Sequence, residues 1–247
     1  MALQSATNNR SKGGGVIAFE LFSTQHMAAL VVSVIVFSCV VLFRRQIRIG
    51  KIDRIFRLLL ASFLLICELS LQLSFLTEGS WGAASLPLQL CSLTLLLSVV
   101  LLAFRAKALY GLVFFLGTAG ALQALATPNL GEAFPHFRFF QFFAAHIGII
   151  LAALYVFVVE RYRPTLKSAF AALAWLHVLA VPAAIANMAF GTNFMFLARK
   201  PETASLLDAL APWPWYLLQL EFVALASCLL LLVGSKLVYA IFRGKKR

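Results

Sequence analysis

Apolar runs of about twenty residues recur along the chain from Ala28 to Ile241, and they decide the fold class. A helix rises 1.5 Å per residue, so such a run matches the roughly 30 Å hydrocarbon core of a bilayer. A segment inside lipid must satisfy its own backbone hydrogen bonds, which leaves helices or closed barrels. The runs are too long for barrel strands, so helices are expected. Composition agrees: 62% of residues are hydrophobic and 12% charged, with a mean hydropathy of +0.92. A soluble domain has nearer half and a quarter.

The expected fold is an all-α polytopic membrane protein with seven transmembrane helices. They fall at about 25–43, 55–76, 86–104, 108–126, 138–159, 168–190 and 215–241, inside a transmembrane domain over 19–242. A polar N-terminal tail, 1–18, is expected to be disordered, and 243–247 forms a basic tail. The first fifteen residues have no short apolar stretch before a small-residue cleavage site, so no cleavable signal is expected. Cys39, Cys67, Cys91 and Cys228 all lie in apolar runs, without a CxxC pair, which argues against disulfides.

A net charge of +12 suggests nucleic acid until its placement is read. The segment after helix 1 carries Arg44, Arg45, Arg48, Lys51, Arg54 and Arg57. The 3–4 loop adds Arg105 and Lys107, and the 5–6 loop Arg161, Arg163 and Lys167. Lys236, Arg243, Lys245, Lys246 and Arg247 follow at the end, so sixteen of the 21 basic residues share one side. The positive-inside rule puts that side, with the C-terminus, in the cytoplasm and the N-terminus outside. Glu20, Glu78, Glu132, Glu202 and Asp208 fall on the outer side. The basic excess is a topology signal that also suits anionic lipid; nucleic acid is not an expected partner. A bacterial plasma membrane suits the short loops. The outer loops are the elaborate ones, "TPNLGEAFPHFRFF" and "GTNFMFLARKPETASLLDALAPWPWY", and functional loops tend to be elaborate.

A repeat is visible. "FELFSTQH" and "FFQFFAAH" share FxxFxxxH, with Phe19, Phe22, His26 against Phe139, Phe142, His146. "LQLC" at Leu88–Cys91 matches "LQLE" at Leu218–Glu221. Two parallel three-helix repeats joined by helix 4 would give this pattern. They would pair His26 with His146 and Cys91 with Glu221.

Ionisable or polar groups in membrane helices are functional candidates by default. They are His26, Glu68, Gln72, Gln89, Cys91, Gln123, His146, His177, Asn187 and Glu221, mostly in the outer halves of their helices. Gln72, Gln123 and Asn187 also fit plain interhelical hydrogen bonding, and His177 reads as structural. Glu68 and Glu221 need a proton or a partner, and His26 is the expected partner of Glu221. Pro87 suits the first turn of helix 3, which brings Cys91 near the helix N-terminus, where the dipole favours thiolate. His146 is then the candidate base of a Cys–His pair. His146 lies roughly 12 Å into helix 5 and Cys91 about 6 Å into helix 3, so helix 3 must start deeper.

The stretches "PLQLC", "TPNL...FPHFRFFQFFAAH", "NFMFLARKP" and "PWPWY" together resemble the YwaF-type integral membrane family. That family is a mostly bacterial set of seven-helix proteins related to an animal ether-phospholipid acyltransferase. The resemblance covers about residues 19–240. It implies a Cys–His acyl-transfer mechanism on Cys91 and His146.

On this reading the protein is a membrane lipid acyltransferase, transacylase or acyl hydrolase, with phospholipid or lysophospholipid substrates and no cofactor. Gln89 and Asn193 would stabilise the oxyanion. Trp213, Trp215 and Tyr216 would sit at headgroup level. The alternative is a small-solute or proton-coupled transporter, or a ligand-binding sensor, using His26, Glu68, His146 and Glu221. A metal site on His26, His146 and Cys91 has the ligand types but no spacing motif, so no metal is expected. Lys236, the lysine of helix 7, lies too near the cytoplasmic end for a retinal Schiff base. The oligomeric state is open.

Overall fold

The computed structural model describes residues 18–201 and 206–244. The tails expected over 1–18 and 243–247 therefore lie almost wholly outside the described residues, as do Arg10, Lys12 and Glu202. All the long elements are helices: α1 (Thr24–Leu42), α2 (Gly50–Thr77), α3 (Leu90–Phe104), α4 (Lys107–Ala126), α5 (Phe137–Val159), α6 (Leu166–Phe190) and α7 (Trp215–Gly244). Six are long and apolar enough to cross a membrane, whereas α3 has only 15 residues.

Two starts differ from the sequence reading. α3 begins at Leu90 rather than near 86, so Pro87 precedes the helix instead of opening it. Proline pushes the residue before it out of helical conformation, and Leu86 is extended at φ −58°, ψ 141°. α2 begins earlier than expected, at Gly50, which carries Asp53 into the helix one turn before Arg57, and both are buried.

Contacts define two ends. At the first, Arg48 donates to the Val158 and Val159 carbonyls, and Arg105 bridges Asp53 and Glu160 at 3.2 and 2.7 Å. Arg57 pairs with Asp53 at 3.2 Å, and the Tyr155 hydroxyl lies 2.6 Å from Asp53 Oδ1 and 2.7 Å from Glu160 Oε1. Tyr239 of α7 donates to the Tyr162 carbonyl beneath Arg163. The basic loops therefore gather at one end and are tied together through two carboxylates. At the other end, Phe19 N bonds Gly131 O, Gln72 reaches Ser85 O, and Gln89 holds Met195 N.

The core follows α5. Buried residues make up 78% of the 18-residue apolar stretch of α5, against 17% for that of α1 and 11% for that of α7, so α5 is the central post and α7 lies at the periphery. Small residues permit close approach in membrane bundles, and Ala145, Gly148 and Ala152 fall on one buried stripe of α5. A Cβ on Gly148 would stand 2.6 Å from Leu64 Cδ2.

The two FxxFxxxH segments differ in structure. Phe22 precedes α1 at φ 61° and His26 is in its first turn, whereas Phe139, Phe142 and His146 all lie inside α5. The matched positions thus do not share a local conformation.

Candidate functional site

A cavity of about 710 Å³ opens between α2 and α7, on the side of the longer loops. It collects most of the membrane-embedded polar candidates. Glu68 comes from α2, Gln89 and Cys91 from the start of α3, and Gln123 from α4. His146 comes from α5, His177 from α6 and Glu221 from α7. Apolar side chains such as Leu95, Leu116 and Ile149 fill the remaining wall.

Cys91 is the second residue of α3, and its thiol is free of any disulfide. Gly120 of α4 faces it. A Cβ there would sit 3.9 Å from the sulfur, so α4 approaches the thiol without crowding it. α3 starts at Leu90, and the Cys91 and His146 side chains line one space.

The hydrogen bonds of the four histidines sort their roles. A carbonyl oxygen only accepts, so a ring nitrogen against one must carry the proton. His26 is fully buried: its Nε2 donates to Leu125 O at 2.8 Å and its Nδ1 accepts from Phe22 N at 3.1 Å. Both nitrogens are consumed, and the ring packs edge-on against Phe19. His136 accepts from Arg138 N and caps α5. His177 donates from Nδ1 to Leu173 O at 2.9 Å, and its Nε2 meets Glu221 Oε1 at 3.3 Å. His146 donates from Nδ1 to Phe142 O at 2.7 Å. Its Nε2 then holds a lone pair and has no hydrogen-bond partner among the described residues. That is the arrangement a general base needs.

The expected His26–Glu221 pair is therefore corrected: Glu221 pairs with His177. α1 packs against α5, while α7 packs against α6, so the two side chains stand on different flanks of the bundle. His177, read as structural, is instead a cavity residue. Because His26 lies outside the cavity with both nitrogens bonded, it is no ligand for a metal beside Cys91. Among the described residues no three His, Cys, Asp or Glu side chains converge on one point.

The supporting candidates divide. Gln72 stands behind the cavity and donates to Glu68 Oε1 at 3.1 Å and Ser85 O at 3.0 Å, fixing the buried Glu68. Gln89 Oε1 accepts from Met195 N at 2.9 Å, which leaves its amide N–H groups for the cavity. Asn193 does not reach the cavity. Its Oδ1 accepts from Ala198 N and Arg199 N, and its Nδ2 donates to Arg199 O. It folds the loop before α7 and lines a smaller pocket of about 360 Å³ with Arg199 and Lys200. Tyr216 is not an interfacial aromatic: it is fully buried and donates to Phe196 O. Trp213 is exposed, with Nε1 on Leu197 O at 3.3 Å. Asn187 bonds both Phe194 N and Phe194 O and holds the same loop to α6.

Arg138 and Gln141 were missed. Both line the cavity, Arg138 donates to Gln141 Oε1 at 2.5 Å, and Gln141 donates to Cys67 O at 3.2 Å. Their signal was present in helical spacing. Positions 138, 141, 142, 145, 146 and 149 form one stripe of α5, and all six face the cavity.

A model of the TMEM164 family matches residues 21–232, most of the chain. No curated protein and no solved structure matches.

Proposed function

Since the chain belongs to the TMEM164 family, a family of membrane proteins, we propose that it is a phospholipid acyltransferase or acyl hydrolase working through Cys91 and His146. The single observation that carries this reading is the unpartnered His146 Nε2 in the cavity that Cys91 lines. A thiol and an imidazole with a free lone pair are the components of a nucleophile–base pair.

In the first half-reaction His146 Nε2 takes the Cys91 thiol proton. The thiolate attacks an acyl ester carbonyl, the C–O bond breaks, and His146 returns the proton to the departing alkoxide. Cys91 is left as an acyl thioester. In the second half, a lysophospholipid hydroxyl or water attacks the thioester and gives its proton to His146. The C–S bond breaks, and the proton goes back to the thiolate. The free amide N–H groups of Gln89 are the candidate oxyanion donors. Arg138, already oriented by Gln141, suits the phosphate of the same lipid.

The proposed setting follows from the charges. The end rich in arginine faces the cytoplasm, α3 completes seven passes, and the cavity opens toward the outer leaflet. The YwaF-type branch and a bacterial plasma membrane belong to the same proposal.

A proton-coupled transporter is the second reading, favoured by the buried Glu68 and its Gln72 partner. Lipid mass spectrometry of the purified protein in mixed phospholipids separates the two. Acyl exchange in wild type that disappears in Cys91→Ala supports the transferase. Solute uptake without acyl exchange supports transport.

A further inference from the structure

One feature of the cavity is unlike the rest: an ionisable pair on a surface that faces lipid. His177 is the twelfth of the 25 residues of α6, and Glu221 lies on α7. Both line the cavity, and their side chains are 64% and 45% exposed. The His177–Glu221 bridge thus spans the line along which α6 meets α7 in the cavity wall. Around it the outer surface is apolar, with Val178, Val181 and Phe222 exposed.

Such a pair in hydrocarbon is costly and needs a use. Its proton count is fixed by geometry. His177 Nδ1 must carry hydrogen to donate to Leu173 O. A neutral ring then presents a bare Nε2 to the Glu221 oxygen 3.3 Å away. Contact requires one more proton, on Nε2 or on the carboxyl. The pair is therefore neutral overall, which is the form least penalised in lipid, while still offering hydrogen-bond donors and acceptors. Small residues flank it, with Ala180 on α6 and Ala224 on α7 both on the cavity wall.

We propose that the gap between α6 and α7 is a lateral portal through which a lipid chain enters the cavity from the bilayer, with His177–Glu221 as its latch. The ligand is a single-chain glycerophospholipid bearing a free hydroxyl. Its chain passes between Ala180 and Ala224, and its hydroxyl exchanges hydrogen bonds with the pair. The choice of a hydroxyl-bearing lipid rests on the proposed acyl transfer; the portal itself does not.

The test uses full-length protein in phosphatidylcholine vesicles with a phospholipid carrying a diazirine in its acyl chain. Cross-link sites are read by peptide mass spectrometry in wild type and in a Cys91→Ala background, where transfer is absent. Adducts are expected inside the cavity, on the α5 stripe containing Phe142 and Ile149, in both. Ala180→Trp with Ala224→Trp should cut these by about tenfold while adducts on the outer faces stay. Cavity adducts at the wild-type level in that variant overturn the portal. Glu221→Gln, which keeps the shape of the side chain, tests the latch independently of bulk. It should weaken competition by a lysophospholipid several-fold and leave competition by a diacyl lipid unchanged. Equal competition by both lipids before and after the change overturns the latch. Failure of acyl transfer alone would leave the cross-links in place, so the two ideas fail separately.

Discussion

His146 offers an unpartnered Nε2 to the cavity of Cys91 because its Nδ1 is committed to Phe142 O, 2.7 Å away on the preceding turn of α5. The backbone thus selects the tautomer. His146→Gln or His146→Ala should lower acyl transfer by about 10²- to 10⁴-fold, the usual contribution of a general base. Transfer is measured by lipid mass spectrometry in vesicles, and a variant with full activity removes His146 from the reaction.

His26 should behave in the opposite way. Its two nitrogens join the start of α1 to the end of α4 through Phe22 N and Leu125 O. His26→Ala leaves the buried Leu125 carbonyl without its donor, a cost of about 1–3 kcal/mol. The thermal midpoint in detergent should fall, while the rate of Cys91 alkylation by a small maleimide stays at the wild-type value.

Gly148 sets the spacing of α5 and α2. A methyl group there meets Leu64 Cδ2 at 2.6 Å and Phe63 Cε1 at 3.2 Å, both on a helix that cannot retreat without opening its own packing. Gly148→Ala should cost about 1–3 kcal/mol by overpacking, whereas Gly120→Ala, with 3.8 Å to its nearest neighbour, should be tolerated. Thermal unfolding of the two variants side by side checks the contrast.

The charged end has an acid limit. Burial alone would raise the Glu160 carboxyl, but the Tyr155 hydroxyl and the Arg105 guanidinium outweigh it and hold it below its usual range. A carboxyl lowered by folding contributes stability that is complete above its unfolded value, near 4.3 for glutamate, and is lost as pH falls through the lower folded value. Thermal stability should therefore drop below about pH 4. Glu160→Gln should flatten that drop while lowering stability at neutral pH.

The helices were legible in the sequence because apolar length is a strong signal, and five of the seven starts fall within about two residues of expectation. The exceptions have physical causes. At α3 the proline acts on Leu86 before it. At α2 the charge of Asp53 looks like a loop residue until Arg57, Arg105 and the Tyr155 hydroxyl partner it, the last two from fifty or more residues away in the chain. Cys91 and His146 were readable as polar residues within apolar helices, and both line the cavity. The partner of Glu221 was not, because sequence spacing does not say which helices are neighbours. Tyr216 looks interfacial beside Trp213 and Trp215, and only the fold shows its hydroxyl turned inward to Phe196 O.

The most direct test of the central claim is intact-protein mass spectrometry after incubation with a phospholipid of defined acyl chains. The account predicts a mass increase equal to one acyl chain, mapped to Cys91, removed by neutral hydroxylamine and absent in Cys91→Ser under the same conditions. Acyl transfer that proceeds at the wild-type rate in Cys91→Ala, with no thioester at any time point, would contradict it.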